Sequence, residues 1–175
     1  MRNKFLLLGM ALVALVAFQA CSDDDDNNKD TPIPPSSVEQ KYVDAFKEKF
    51  PTADVSKVKW EKKQNYTVAE FSRMTGIETE AWFNSSAVWV MTGDDLGKDL
   101  FLIPTAVNNG FNQTAYASYP IDDIKHYTTA TLDYYIIEVE NGQSPDIQMY
   151  FLSDGTLKKT TTDNGAEIYP DMNPF

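Results

Sequence analysis

From residue 37 to residue 162 the apolar positions change period several times, and each change marks an element. Val38, Tyr42, Ala45, Phe46 and Phe50 recur every three or four residues, the spacing of one helix face, and Pro51 ends the run. Ser37-Val38-Glu39-Gln40 has the form of a capping box, with Gln40 three residues behind a Ser. Alternating segments follow near 57–62, 65–72, 78–84 and 87–92, the two-residue period of strands with one buried side. A second helical stripe of Val107, Phe111 and Ala115 opens at Pro104 and runs to Tyr119-Pro120, weakened by Gly110 and its neighbouring asparagines. Alternation resumes near 124–129, 132–140, 146–152 and 156–162, with Asn141-Gly142 and Asp154-Gly155 as turn signals.

The two halves show self-similarity at a displacement of 68 positions. Tyr66-Thr67-Val68-Ala69-Glu70-Phe71 lies over Tyr134-Tyr135-Ile136-Ile137-Glu138-Val139, Phe83 over Phe151, Ser85 over Ser153 and Thr92 over Thr160. A shared register of this kind points to an internal repeat. The expectation is an α+β fold: a tandem repeat of helix plus four antiparallel strands, helices packed on one face of a sheet. Copy one spans about 37–96 and copy two about 103–162, within a domain of 37–162, and residues 163–175 form a C-terminal tail.

Strand alternation also assigns side chains to faces. Thr67, Ala69, Phe71, Ala81, Phe83 and Trp89, with Tyr135, Ile137, Val139, Met149, Phe151 and Leu157, are expected beneath the helices, together with Val58, Trp60 and Ile124. The reverse face receives Tyr66, Val68, Glu70 and Trp82, then Tyr134, Ile136, Glu138, Glu140 and Tyr150. Tyr66, Trp82, Tyr134 and Tyr150 on an open sheet face are expected to bind a protein or peptide partner, since Tyr and Trp bury much area at little rotamer cost. The competing readings are that these rings only ladder across strands, or that the tail ending in Phe175 covers them.

The start of the chain gives an address. Arg2 and Lys4 precede an apolar stretch from Phe5 to Ala20, shorter than the roughly 20 residues a membrane-spanning helix needs, and Cys21 stands directly behind it. Residues 1–20 thus read as a lipoprotein signal peptide, and Cys21, the one cysteine of the chain, as the lipidated residue. Residues 21–36 hold an acidic block, Asp23 to Asp26, and the run Pro32-Ile33-Pro34-Pro35, so they are expected to be a disordered tether. The Cys-Ser-Asp start resembles the export signal of surface lipoproteins in the Bacteroidetes, which implies an outer-membrane lipoprotein exposed at the cell surface.

Taking 20 residues from 175 leaves 155, enough for one domain with a core. Arg2 and Lys4 leave with the signal, so the formal net charge falls from −11 to −13. Phosphates would repel such a surface, which argues against nucleic acid. The expected contacts are a protein or peptide partner and the membrane, the latter through the anchor on Cys21.

Catalysis has little support in the residue types. His126 is the one histidine, in a strand-like segment, and it lacks the Ser or Cys elbow and the Asp or Asn orienter that nucleophilic catalysis needs. With one histidine and one cysteine there is no His or Cys cluster of metal-ligand spacing, and the eight glycines form no phosphate loop. The expectation is a non-enzyme without cofactor or metal.

As an ordered set, the helix, Phe50-Pro51, the strand with Trp60, Tyr66-x-Val68-x-x-Phe71, Trp82-Phe83, Trp89, Leu102-Ile103-Pro104, Tyr119-Pro120, Tyr134-x-Ile136-x-x-Val139 and Asp154-Gly155 resemble the beta-lactamase-inhibitor-like, PepSY-like domain of Bacteroidetes secreted proteins. The resemblance covers about 38–162 and departs at Asn84-Ser85-Ser86-Ala87, where family members carry a glycine-bearing turn. It implies a sheet face that can be presented to a protein, and a non-catalytic binding module, an inhibitor of a protease or other hydrolase. A carbohydrate-binding accessory lipoprotein and a structural subunit of an envelope assembly are the alternatives. An inhibitor would use a protruding loop near Gly93–Lys98 or Gln143–Pro145.

Overall fold

The computed structural model describes residues 31–175; the signal peptide, Cys21 and the acidic block lie outside the described residues. Nine strands run in chain order through one sheet, each antiparallel to the next. They are β1 (Thr31–Ile33), β2 (Lys59–Lys63), β3 (Tyr66–Met74), β4 (Ile77–Phe83), β5 (Trp89–Asp95), β6 (Ile121–Thr129), β7 (Asp133–Val139), β8 (Ile147–Leu152) and β9 (Leu157–Thr162). Two helices interrupt them, α1 (Gln40–Lys49) after β1 and α2 (Thr105–Asn112) after β5.

This corrects the expected fold class. The molecule is a mostly β, nine-strand antiparallel sheet with two short helices, not a tandem of helix-plus-four-strand units. The ladder is continuous across the supposed boundary: Met91 to Asp95 of β5 pair with Thr129 to Lys125 of β6. Backbone N–H and C=O groups at that junction thus find partners in the next strand instead of marking an edge.

The tether also ends sooner than residue 36. Thr31, Pro32 and Ile33 pair with Lys62, Glu61 and Trp60 as an edge strand, where proline is tolerated because its missing N–H faces outward. Pro35–Ser37 then form a 3-10 turn, Ser37 N–H bonding to the Pro34 carbonyl 2.7 Å away. That turn takes Ser37 out of the capping box; α1 begins at Gln40 with Glu39 as its N-cap and no side-chain cap bond.

Both helices lie on one side of the sheet. Under α1, Phe46 packs edge-on to Phe71 at 4.8 Å and to Trp60 at 5.7 Å, within a cluster that includes Tyr42, Ala69, Ala81 and Phe83. Under α2, Val107 and Phe111 meet Ile124, Ile137, Met149 and Phe151. Leu157, expected in this core, is 42% exposed because β9 is the outer strand and only one neighbour covers it. Gly110 does more than weaken its helix: a Cβ there would lie 2.2 Å from the Gly155 carbonyl oxygen, so α2 sits directly on the β8–β9 turn. At 84–87 the turn forms without glycine. Ala87 takes φ 58°, and the Asn84 carboxamide oxygen accepts from the N–H groups of Ser86 and Val88.

Candidate binding face

Side chains that alternate with the helix-side core gather on the reverse of the sheet. Val68, Trp82, Met91, Tyr127, Tyr134, Ile136 and Tyr150 form a third buried cluster there, so strand alternation places the predicted rings on one face. The face is not bare, however. Trp82, Tyr134 and Tyr150 are buried and Tyr66 is half-buried, because residues 163–175 fold back across them. Of the readings open at the outset, cover by the tail ending in Phe175 is the one this geometry has. Rings with one side on the sheet keep a large apolar area that needs a second cover, and the tail supplies it.

Side chains hold the tail in place, and it adds no strand to the sheet. Tyr169 stands edge-on to Trp82 at 5.5 Å and Phe175 edge-on to Tyr134 at 5.7 Å. Glu167 reaches the Lys63 ammonium at 2.5 Å, and Lys159 Nζ donates to the Pro174 carbonyl at 3.1 Å. Lys63 is buried between Glu61, Glu80 and Glu167, 5.3 Å from the Trp82 ring centroid. Burial opposes its charge, yet Glu167 and Glu80 outweigh that and hold it well above the ordinary lysine range.

Beyond Lys63 the same face is open and changes character. A cleft of about 580 Å³ runs over β3 to β8, with the tail from Asp163 to Ile168 as one wall. Glu70, Glu78, Asp95, Asp123 and Glu138 line it, and Lys125 is the cation among the described lining residues. Its floor exists because Gly93 has no side chain; a Cβ there would come 3.0 Å from the Tyr127 ring. Burial raises the Asp123 carboxyl, and the charge of Asp95 adds to this. Burial likewise raises Glu138, with further contributions from Asp163, Asp122 and Asp146 that Gln148 partly offsets. These carboxylates crowd one another, and an added positive charge would relieve them.

Asp122, Glu138 and Asp146 bring carboxylate oxygens within 4.8 Å of one another, the one set among the described residues with metal-ligand spacing. Each already has a protein partner: Lys98 on Asp122 at 2.8 Å, Gln148 on Glu138 at 3.1 Å, and the Asn141 N–H on Asp146 at 3.0 Å. One oxygen of each carboxylate is thus already engaged by the fold.

The Gly93–Lys98 segment is not a free loop, since β5 extends to Asp95. The protrusion comes next. Leu100–Leu102 form a 3-10 turn in which the Asp99 carboxylate accepts the Phe101 N–H at 2.9 Å, and the Phe101 side chain is 97% exposed. Met74 and Leu102 are also exposed, and they line a depression that shares Glu78 and Asp95 with the cleft. The acidic floor thus ends at an apolar lip.

His126 sits on the helix side, and sheet register and the β6–β7 hairpin bring two carboxylates to its ring. Asp94 faces it across β5 and Tyr135 across β7. Its Nε2 is 2.6 Å from Asp133, its Nδ1 3.5 Å from Asp94, and its ring stacks on Tyr135 at 4.3 Å. Asp94, buried, also takes a bond from Thr79 Oγ1 and an ion pair from Arg73. This reads as a structural brace between the two apolar clusters. Burial works against the imidazolium, but Asp94 and Asp133 prevail and raise His126 above its ordinary value. A raised histidine stabilises the fold fully below its unfolded pKa and loses that contribution as pH rises through the folded value. Chemical denaturation is therefore expected to show stability falling as pH rises above about 6.5, with His126→Gln flattening that slope. An unchanged slope in His126→Gln would show the brace to be silent.

The geometry defines a class: a single antiparallel sheet with two helices on one side and, on the other, a face part strapped and part open. The chain belongs to the beta-lactamase-inhibitor-like, PepSY-like family, which matches residues 25–78 and 65–159. It is similar to a BLIP-like protein from Bacteroides fragilis NCTC 9343, 29% identical, over 80% of this chain and 96% of that one, with a TM-score of 0.68. A DUF2874 family protein from Bacteroides uniformis ATCC 8492 is 26% identical over 71% of this chain and 89% of its own, TM-score 0.64. A chain from Bacteroides eggerthii DSM 20697, provisionally described as periplasmic, is 24% identical over 71% and 88%, TM-score 0.63. A comparison with curated proteins finds no match.

Proposed function

We propose that this protein is a lipid-tethered, non-catalytic binding module of the cell envelope, exposed on the outer membrane through Cys21, whose partner is a protein with a basic surface segment. The observation that carries this is the open acidic half of the sheet face, a cleft of about 580 Å³ with Lys125 its cation among the described lining residues. Complementary charge steers such encounters and sets their register. The exposed Phe101, its N–H held by Asp99 and next in the chain to Leu102 of the adjoining depression, is the kind of ordered aromatic that anchors an interface. The family likeness supports a binding role, and inhibition of a hydrolase is the narrower form of the proposal. A carbohydrate platform is less supported, because Trp82, Tyr134 and Tyr150 are covered and could not stack on sugar rings.

The test uses soluble Lys29–Phe175, which holds every described element, as bait for secreted and envelope proteins. Wild type is compared with Glu78→Lys/Asp123→Lys and with Phe101→Ala. Capture lost in the charge-reversed bait, and weakened by added salt in the wild type, supports the reading. Equal capture by the charge-reversed bait, or retention of polysaccharide alone, removes it.

A further inference from the structure

The tail has the composition of a ligand and the attachment of one. Between Asp163 and Phe175 its own backbone turns are local, with Met172 N–H on the Tyr169 carbonyl and Asn164 and Asn173 side chains accepting from Ala166 and Phe175. The Asp163 N–H still bonds the Asp146 carbonyl at 2.7 Å, and beyond it the tail joins none of the described strands. Its grip includes Glu167 on Lys63, Tyr169 on Trp82, Asp171 on Tyr66, the Pro174 carbonyl on Lys159, and Phe175 on Tyr134 and beneath Lys158. Asn164, Gly165 and Ala166 lead into it and are exposed, as a hinge would be. A segment held by side chains, with few buried contacts of its own backbone, opens more readily than the sheet below.

We propose that the aromatic half of the face is a peptide groove, that residues 164–175 are its resident occupant, and that a partner segment of the same chemistry replaces them. That chemistry is a carboxylate for Lys63, an aromatic ring two residues later for Trp82, and a second ring six residues beyond for Tyr134. The inference rests on the reading that this face is the binding face, and it adds how the face is gated. Opened, the groove joins the acidic cleft, since tail residues Asp163 to Ile168 wall that cleft. A partner then lays acidic-aromatic sequence in one half and basic sequence in the other.

Two measurements decide it. In wild-type Lys29–Phe175, hydrogen exchange should find the amides of 166–175 exchanging about 100-fold faster than those of β7 and β8. In Tyr169→Ala/Phe175→Ala, whose tail is loosened, a fluorescently labelled synthetic peptide of residues 164–175 should bind in trans, and at least about tenfold more weakly to wild type. Adding Lys63→Gln should weaken that binding about tenfold. Tail amides as slow as those of β7, a folded double variant that ignores the peptide, or a wild-type dimer that exchanges tails would each overturn the proposal. If the double variant does not fold, the wild-type exchange pattern decides alone. Peptide binding does not depend on the acidic cleft, so equal capture by the wild-type and charge-reversed baits with peptide binding intact sinks the functional reading and spares the groove. The reverse result sinks the groove alone.

Discussion

Gly155→Ala is expected to destabilise the protein by roughly 2–5 kcal/mol. Two costs coincide there. Gly155 has φ +86°, a left-handed conformation that a Cβ makes strained, and that Cβ would lie 2.2 Å from the Ala106 carbonyl oxygen and 2.7 Å from its carbon. Backbone on both sides leaves nothing flexible to give way, so α2 has to lift from the β8–β9 turn. Lifting it uncovers Val107 and Phe111, which seal Ile124, Ile137 and Met149. Gly110→Ala attacks the same contact from the helix side and should act in the same direction, despite alanine's better helix propensity. Urea denaturation of both variants is the measurement. The control is Gly142→Ala, at φ 69° with no atom within 4 Å of the added Cβ, which should lose only the conformational part. Equal losses at Gly155 and Gly142 would show that the close approach to α2 contributes nothing.

Trp82→Ala should cost about 3–5 kcal/mol, the range for deleting a large buried aromatic side chain. Trp82 is 1% exposed, with Tyr66 at 5.9 Å on one side and Tyr169 at 5.5 Å on the other. Its Nε1–H donates to Glu80 at 3.2 Å, and Lys63 lies over its ring. Removal leaves a cavity, deprives the tail of its main contact, and loosens the carboxylates around Lys63. Denaturation midpoints measure the first effect, and exchange of the tail amides measures the second. Because this ring is part of the core, a loss of partner capture in Trp82→Ala would say little about recognition. The exposed Phe101 and the cleft carboxylates are the positions where capture can be tested without unfolding.

Much of the local structure could be read from residue order. The strands around Tyr66–Phe71, Trp82, Tyr134–Val139 and Tyr150 lie within a few residues of where alternation puts them, because a half-buried strand has to repeat every second residue. The stripe of Tyr42, Phe46 and Phe50 marks α1 for the same kind of reason, one residue in three or four facing the sheet. β1 could not be read, since Thr-Pro-Ile-Pro is too short to show a period and its pairing depends on β2 being there to receive it. The repeat expectation failed at a related point. Similarity of two segments says nothing about whether β5 and β6 pair, and their pairing makes one sheet.

Residue order alone determined which side chains share a face, because that follows from backbone geometry within each strand. It therefore put Tyr66, Trp82, Tyr134 and Tyr150 together, and a distinct set under the helices. Only the tertiary structure decided what covers each face. The tail has no period, and its hold depends on Lys63 and Trp82, more than 80 residues earlier in the chain. The pairing of Asp94 with His126, the approach of Gly110 to Gly155, and the gathering of acids from β3 to β8 have the same origin. Each is a contact between elements, set by register and packing, and such contacts leave no spacing along the chain.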